Sequence, residues 1–338
     1  MTLHPKIIII ILNWNRRQDT LECLDSVYRV SYPSFEVLVV DNGSTDGSVE
    51  TIRQRYSEVV LLENGRNLGF SEGNNVGIRE AIRRNAEYVL LLNNDARIHP
   101  GCLEAFVDAA KKMPDAGAFA GKICDFFDRQ RIWFAGACWI PKDATFQHLG
   151  FNALDNGKEH NDYVECDFLP GCFMFFATSA LKAVGFLDPR FFLLFEEVDW
   201  CYRARAAGYR CMYVPNAVAW HRGSVSFGGR ETPLYQYFFV RNRLLWAEQH
   251  LPRGQRLSVW KRTVNETFPI WDPTDQPNIA RFKIYYWKIY AWSYELFGSW
   301  SHPVNRARRL GVVHYLLRQF GDCPPQIRHL NRKMGLPA

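Results

Sequence analysis

An α/β fold, with a mainly parallel central sheet flanked by helices and a C-terminal helical extension, follows from three observations. Short apolar runs alternate with stretches of helical spacing through the first hundred residues, the pattern of βαβ units. Several runs end in a carboxylate or carboxamide, and ligands of open α/β sheets bind at the carboxyl ends of the strands. At 338 residues the chain is long enough for a sizeable core, and 47% hydrophobic with 22% charged residues are globular proportions.

The first strand is Lys6–Leu12, a β-branched run that ends in Asn13-Trp14-Asn15. Helical spacing follows over Thr20–Tyr28. Phe35–Val40 is a second buried strand and ends in Asp41. The turn Asn42-Gly43-Ser44-Thr45-Asp46-Gly47 leads into a helix over Ser48–Tyr56, with Asp46 or Ser48 as its N-cap. A short strand over Val59–Leu62 precedes Arg66-Asn67-Leu68-Gly69-Phe70, and a helix over Glu72–Arg84 leads to the strand Tyr88–Leu92. This last strand, apolar enough to be buried on both faces, ends in Asn93-Asn94-Asp95. Those three residues read either as a simple turn or as a corner where one carboxylate holds a divalent cation bridging phosphates. With Asn13 and Asp41 delivered to the same edge and Arg66–Gly69 nearby, the constellation is that of a nucleotide site. Neither G-x-G-x-x-G nor G-x-x-x-x-G-K-[ST] follows the first strand, which argues against a dinucleotide dehydrogenase or a P-loop NTPase.

Taken together and in order, Asn13-Trp-Asn15, Asp41-Asn-Gly-Ser-Thr-Asp46-Gly-Ser, Arg66-Asn67-Leu-Gly69-Phe and Asn93-Asn94-Asp95 resemble the inverting family-2 glycosyltransferases. The resemblance implies a nucleotide-diphospho-sugar (GT-A type) domain. In it Asn13, Asn15 and Asp41 bind the nucleoside, Arg66, Asn67 and Gly69 line the nucleotide pocket, and Asn93, Asn94 and Asp95 form the shortened acidic motif. Asp95, the one acid retained there, would ligate Mg²⁺ or Mn²⁺.

Farther along, the sequence predicts a helix over Gly101–Lys112, a strand over Ala116–Ile123, a loop-rich insertion over Ile132–Asn156 and a strand within Asp167–Phe176. A short helix is expected over Ser179–Val184. In the resembled family the glycine matching Gly171 sits beside the acceptor. Glu196, Glu197 and Asp199 then crowd three acids into four positions after five apolar residues. Like charges raise one another's pKa, which a general base tolerates; acids at a helix N-terminus also suit the macrodipole. The family's acidic motif places Glu197 as the base, with Glu196 as the alternative. Tyr209–His221 reads as two short strands closing on a histidine, which the resemblance makes a metal ligand or diphosphate contact. Arg222–Gly229 is a flexible loop suited to a lid. Arg241 and Asn242 match an acceptor-side segment, and their stretch also reads as an amphipathic helix packed on the sheet.

The formal net charge of +6 is unevenly spread, with 14 Lys+Arg against 5 Asp+Glu in residues 251–338 and 27 against 30 before them. Pro252, Pro269, Pro273 and Pro277 mark a linker-like stretch, and Phe282–Trp300 interleaves nine aromatics with lysines. The division expected is therefore a catalytic domain over 1–250 and a basic, aromatic-rich helical extension over 251–338. That extension would lie on a membrane surface or contact a second copy of the chain; nucleic acid is not expected, for want of a motif. Nine scattered cysteines without a Cys-x-x-Cys pair point to reduced thiols. The run Ile7–Leu12 is too short for a signal peptide or a span, so the protein is expected in the cytoplasm, peripheral at the inner face of the cell membrane.

The function expected is transfer of a sugar from dTDP-rhamnose, a UDP-sugar or a GDP-sugar to a hydroxyl of a lipid-linked or polysaccharide acceptor, in cell-surface glycan synthesis. The rhamnosyltransferase-like subgroup is the most similar. A non-catalytic sugar-nucleotide-binding or scaffold protein is the alternative, supported by Asn93 and Asn94.

Overall fold

The computed structural model describes residues 4–141, 143, 145–223, 229–267 and 302–336. It forms two compact units, residues 1–223 and 224–338.

The strands of the first unit are β1 (Ile7–Asn13), β2 (Phe35–Asp41), β3 (Val60–Glu63), β4 (Tyr88–Asn93), β5 (Ala96–Ile98), β6 (Ala116–Asp125), β7 (Ile132–Phe134), β8 (Ala137–Ile140), β9 (Thr145–His148), β10 (Val164–Glu165), β11 (Phe173–Ala177) and β12 (Arg210–His221), all but β8 and β9 in one sheet. Its central order is β10-β12-β6-β11-β4-β1-β2-β3, while β8 and β9 pair apart as a hairpin. Helices α1 (Arg17–Val27), α2 (Ser48–Arg55), α3 (Gly69–Arg83), α4 (Cys102–Lys112), α5 (Thr178–Val184) and α6 (Glu196–Ala206) connect and flank the strands. The five isoleucines of β1 are wholly buried, each worth about 1.5–3 kcal/mol of transfer free energy. β1 is thus the hydrophobic centre of the unit.

Parallel pairing joins β4, β1, β2 and β3, as strand–helix alternation predicts. Beyond β4 the pattern changes. β11 runs antiparallel between β4 and β6, and β6 pairs parallel with β12. The sheet is mixed because β11 enters from a loop-rich stretch instead of a crossover helix. Tyr209–His221 is also not two strands: β12 is one strand of twelve residues, with a register shift between Val214 and Val218 where Pro215 interrupts the ladder. The insertion after Ile132 contains strands of its own, β7 and the β8–β9 hairpin.

The second unit is helical. Helices α7 (Pro233–His250) and α8 (Arg253–Thr267) are followed by the helices Pro303–Leu316 and Pro325–Lys333. Expected to be amphipathic and to lie on the catalytic side of a boundary near residue 250, α7 instead buries nearly all its middle residues among these helices. A helix buried on every side, here with Arg241, Asn242 and Arg243 among its enclosed residues, is a core helix. Pro252 opens α8 instead of a linker, while Pro269, Pro273, Pro277 and the aromatic segment Phe282–Trp300 lie outside the described residues. Among the described residues no helix is long and apolar enough to cross a membrane.

Candidate functional site

Strand register collects the polar ends. Asn13 pairs with Asp41 and Leu12 with Asn93, so Asn13, Asp41 and Asn93–Asp95 finish at one edge of the sheet. There the first two are engaged internally. Asp41 Oδ1 accepts from Asn13 Nδ2 (2.7 Å), and Oδ2 accepts from the backbone N–H groups of Gly43 (3.0 Å) and Ser44 (2.8 Å). Asn13 Oδ1 accepts from the Thr20 hydroxyl (2.8 Å), to which Asn94 Nδ2 donates (2.9 Å). Asn13 and Asp41 are buried. Their side chains hold the turn after β2; Asn15 Oδ1 braces the same turn through Thr45 N–H (2.7 Å). Thr20 is a partner that the sequence reading missed. A hydroxyl on the buried face of a helix was the only signal.

The loop before α3 is locked by a second residue outside the predicted set. Asn42 Nδ2 donates to the carbonyl of Gly69 (3.0 Å), and its Oδ1 accepts from Asn64 (2.9 Å). Asn67 Oδ1 receives the N–H of Gly69 (2.8 Å), while Phe70 N–H donates to the Phe192 carbonyl (2.7 Å). Gly69 has φ +77°, and a Cβ there would fall 2.6 Å from the Phe192 ring and carbonyl. Gly69→Ala is expected to cost about 2 kcal/mol, read as the shift in urea midpoint. A change within about 0.5 kcal/mol, as for an ordinary surface site, would mean that the loop is not locked. Arg66, in the same loop, is exposed and has no ion-pair partner among the described residues.

The next corner is electrostatic. β12 pairs antiparallel with β5, and His221 pairs with Ala96, so the imidazole arrives beside Asp95. His221 Nε2 lies 3.0 Å from Asp95 Oδ1 and 3.3 Å from Asn93 Nδ2; Asp95 and His221 are both 8% exposed. Burial opposes ionisation of Asp95, but the imidazole outweighs it and the carboxyl sits below its usual range. Burial likewise pushes His221 down, and the neighbouring Cys172 and Asp95 carry it well above the usual histidine value. Asp95 Oδ1 makes no aligned hydrogen bond and His221 Nδ1 has none. Trp133 of β7 sets its ring edge-on to the imidazole at 5.8 Å. Arg222 is held by Asp19 (2.7 Å) and Glu22 (2.8 Å) of α1, and its N–H donates to the Asp95 carbonyl (3.3 Å). No sequence pattern links α1 to this corner.

One segment connects that corner to the acid pair. Asn93 N–H donates to the Cys172 carbonyl (2.9 Å), and a Cβ on the preceding Gly171 would stand 3.8 Å from Glu197 Cβ and 3.1 Å from the Phe70 ring. Three residues just before or at the start of α6, Phe192, Leu194 and Phe195, have positive φ (63°, 69° and 77°). Such strain costs about 1–3 kcal/mol per residue and collects at functional sites. It turns Glu196 and Glu197 inward. Each has a buried Oε2 without a hydrogen-bond partner. Burial raises Glu197 to about 7, and burial with the Glu197 charge raises Glu196 well above the carboxylate range. Asp199 is different: its Oδ2 is paired with Arg203 Nε (2.8 Å), whose other nitrogens donate to the Val184 and Phe186 carbonyls. That geometry gives Asp199 a role in positioning α6.

Arg241 and Asn242 lie in the second unit, on α7, and have no exposed surface. The Arg241 guanidinium donates to Asn242 Oδ1 (3.0 Å) and the Tyr237 hydroxyl (3.3 Å), within the helical core.

For the cation, the fit is good. A carboxylate oxygen without an aligned donor, next to an imidazole, is a donor set that Mn²⁺ or Mg²⁺ accepts. Among the described residues no group of three or more His, Cys, Asp or Glu side chains is gathered as a cage. Two protein donors suit an ion that completes its shell with phosphate oxygens and water.

Comparison with known proteins gives the family. The family model described as "Glycosyl transferase family 2" matches residues 8–185. A low-salt glycan biosynthesis hexosyltransferase, Agl10, of Haloferax volcanii is 28% identical over 72% of this chain and 76% of its own length. An N-acetylglucosaminyl-diphospho-decaprenol L-rhamnosyltransferase of Mycobacterium tuberculosis is 29% identical over 57% of this chain and 68% of its own. A dTDP-rhamnosyl transferase, RfbF, of Shigella flexneri is 23% identical over 74% and 83%. Among solved structures, the mannosyltransferase PcManGT of Pyrobaculum calidifontis, in complex with GDP-Man and Mn²⁺, superposes with a TM-score of 0.56 at 15% identity, covering 94% of this chain and 89% of that one.

Proposed function

The chain belongs to glycosyl transferase family 2, and from that premise we propose an inverting transfer of a sugar, with rhamnose first in order, from a nucleoside diphosphate to a hydroxyl of a lipid-linked or polysaccharide acceptor. The observation that carries the reading is the buried Glu196–Glu197 pair beside Gly171, at the start of the segment that ends against the Asp95–His221 corner. That the protein is a glycosyltransferase enzyme follows from the family and its hexosyl- and rhamnosyltransferase relatives. Rhamnose is supported by the activities of the mycobacterial and Shigella relatives, and a lipid-linked acceptor by that of the mycobacterial one.

An acceptor hydroxyl is a very weak acid and must lose its proton as its oxygen attacks the anomeric carbon. Glu197, with a pKa near neutrality, takes that proton, while Glu196 stays protonated and hydrogen-bonds its neighbour. The bond from anomeric carbon to phosphate breaks from the opposite face, which inverts the configuration. Gly171 leaves the space beside the base for the acceptor. Asp95 and His221 would hold Mg²⁺ or Mn²⁺, which when bound neutralises the departing diphosphate. Asn93 orients the imidazole, and Arg66, with Asn67 and Gly69 shaping its loop, meets the donor. Arg241 and Asn242, enclosed in the second unit, hold the shape of α7. The catalytic segment is the first unit, 1–223; the segment 251–338 serves a membrane surface or a second copy, at the inner face of the cell membrane.

The test is release of nucleoside diphosphate from dTDP-rhamnose, UDP-sugars and GDP-sugars, with Mn²⁺ and with EDTA. Turnover of one donor that EDTA stops names the donor. Turnover unaffected by EDTA would remove the cation from the scheme. Arg66→Ala is expected to raise the donor KM about tenfold, the scale of one charge-assisted hydrogen bond, and to change kcat less. An unchanged KM would place Arg66 outside the donor site.

A further inference from the structure

We infer that one face of the helix Pro303–Leu316 docks on an anionic lipid surface. The inference deepens the lipid-linked acceptor reading, but it stands on the second unit alone. The helix turns Val304, Ala307, Gly311 and Val312 inward, and a Cβ on Gly311 would come within 2.8 Å of the Tyr237 carbonyl on α7. This close crossing fixes which side faces out. On the outer side Val313, Leu316 and Leu317, at spacings of three and four, are 44%, 59% and 61% exposed. Arg306, two turns earlier on the same stripe, is exposed and forms no ion pair among the described residues.

Charge complementarity selects the partner. Residues 302–336 hold seven Lys and Arg against one acid, Asp322. Arg308, Arg318 and Arg328 are consumed by Glu231, Glu248 and Asp322. Arg306, Arg332 and Lys333 remain exposed and outside those pairs. An apolar stripe that carries Arg306, in a stretch whose net charge is positive, is the surface that settles into the boundary between headgroups and acyl chains, drawn by anionic lipid. Attraction to a second copy would set like charges against each other.

The experiment is co-sedimentation of the full chain with phosphatidylcholine vesicles prepared with and without phosphatidylglycerol, at low and high salt. The expected result is binding that needs phosphatidylglycerol, weakens with salt, and falls about tenfold or more in Leu316→Glu/Leu317→Glu. Arg306→Glu, which leaves the apolar stripe intact, should fall by a smaller factor. Nucleoside diphosphate release in the absence of a lipid acceptor should be unchanged in both variants, so a failure here is distinct from a failure of the transferase reading. Vesicle binding equal in wild type and both variants would overturn the proposal. So would a wild-type dimer that the double variant splits, seen by sedimentation velocity without vesicles, together with no binding to phosphatidylglycerol.

Discussion

Glu197→Gln is expected to lower kcat by about 10²- to 10⁴-fold, the usual worth of a positioned general base, and to leave donor binding close to wild type. The amide keeps the volume of the side chain and removes its ability to take a proton. In wild type, kcat should rise with pH through about 7 and then level, because below that value the raised Glu197 carboxyl is already protonated. The limb belongs to the Glu196–Glu197 pair as a unit. Glu196→Ala should shift it upward, because the hydrogen bond from protonated Glu196 that lowers the Glu197 carboxyl is gone. A flat profile in wild type, or a Glu197→Gln enzyme with ordinary turnover, would assign the base elsewhere. Tight donor binding with no turnover in any variant or with any acceptor would favour the scaffold alternative.

The same carboxyl carries a stability cost. An ordinary glutamate ionises near 4.5, and Glu197 in the folded protein near 7. Between those values the folded chain holds a proton that the unfolded chain has released. Stability therefore falls as pH rises through that window, and the deficit is complete above 7. At most about 3.5 kcal/mol is involved, from roughly 1.4 kcal/mol per pKa unit. Glu197→Gln should unfold at higher urea than wild type at pH 8, with the difference shrinking toward pH 4.5. Equal midpoints at both pH values would show that the acid is not strained.

Asp95→Asn should cost about 10²- to 10³-fold in kcat/KM, on the scale of removing one charge-stabilising group from a transition state. Mn²⁺ binding, followed by calorimetry with the nucleoside diphosphate present, gives a second reading and should weaken by at least about tenfold. The variant also takes away the partner that holds His221 in place. His221→Gln therefore belongs beside it: if both lose Mn²⁺ similarly, the corner acts as one site. If Asp95→Asn binds Mn²⁺ as wild type does, the acid serves the imidazole and holds no cation.

Much of this site could be read from residue order. β1, β2 and β4 announced themselves by an apolar run and its polar ending, because burial on both faces demands such runs. The acids in the first turn of α6 were conspicuous because like charges seldom crowd beside an apolar stretch. What local pattern determined was therefore which residues stand at strand ends and helix starts. It could not determine which of them stay available, since that depends on hydrogen-bond partners brought from elsewhere. Asp41 and Asn13 consume one another, with Thr20 and the turn after β2. Asp199 is consumed by Arg203.

Only tertiary structure put His221 beside Asp95, through β12 pairing with β5, and set β11 antiparallel so that Gly171 and Cys172 join that corner to Glu197. It also moved α7 into a helical core where Arg241 and Asn242 are enclosed. Periodicity is a property of neighbours along the chain and is written in the sequence. Strand order, register and the competition for each buried hydrogen bond are properties of distant segments, decided when the apolar faces close on one another.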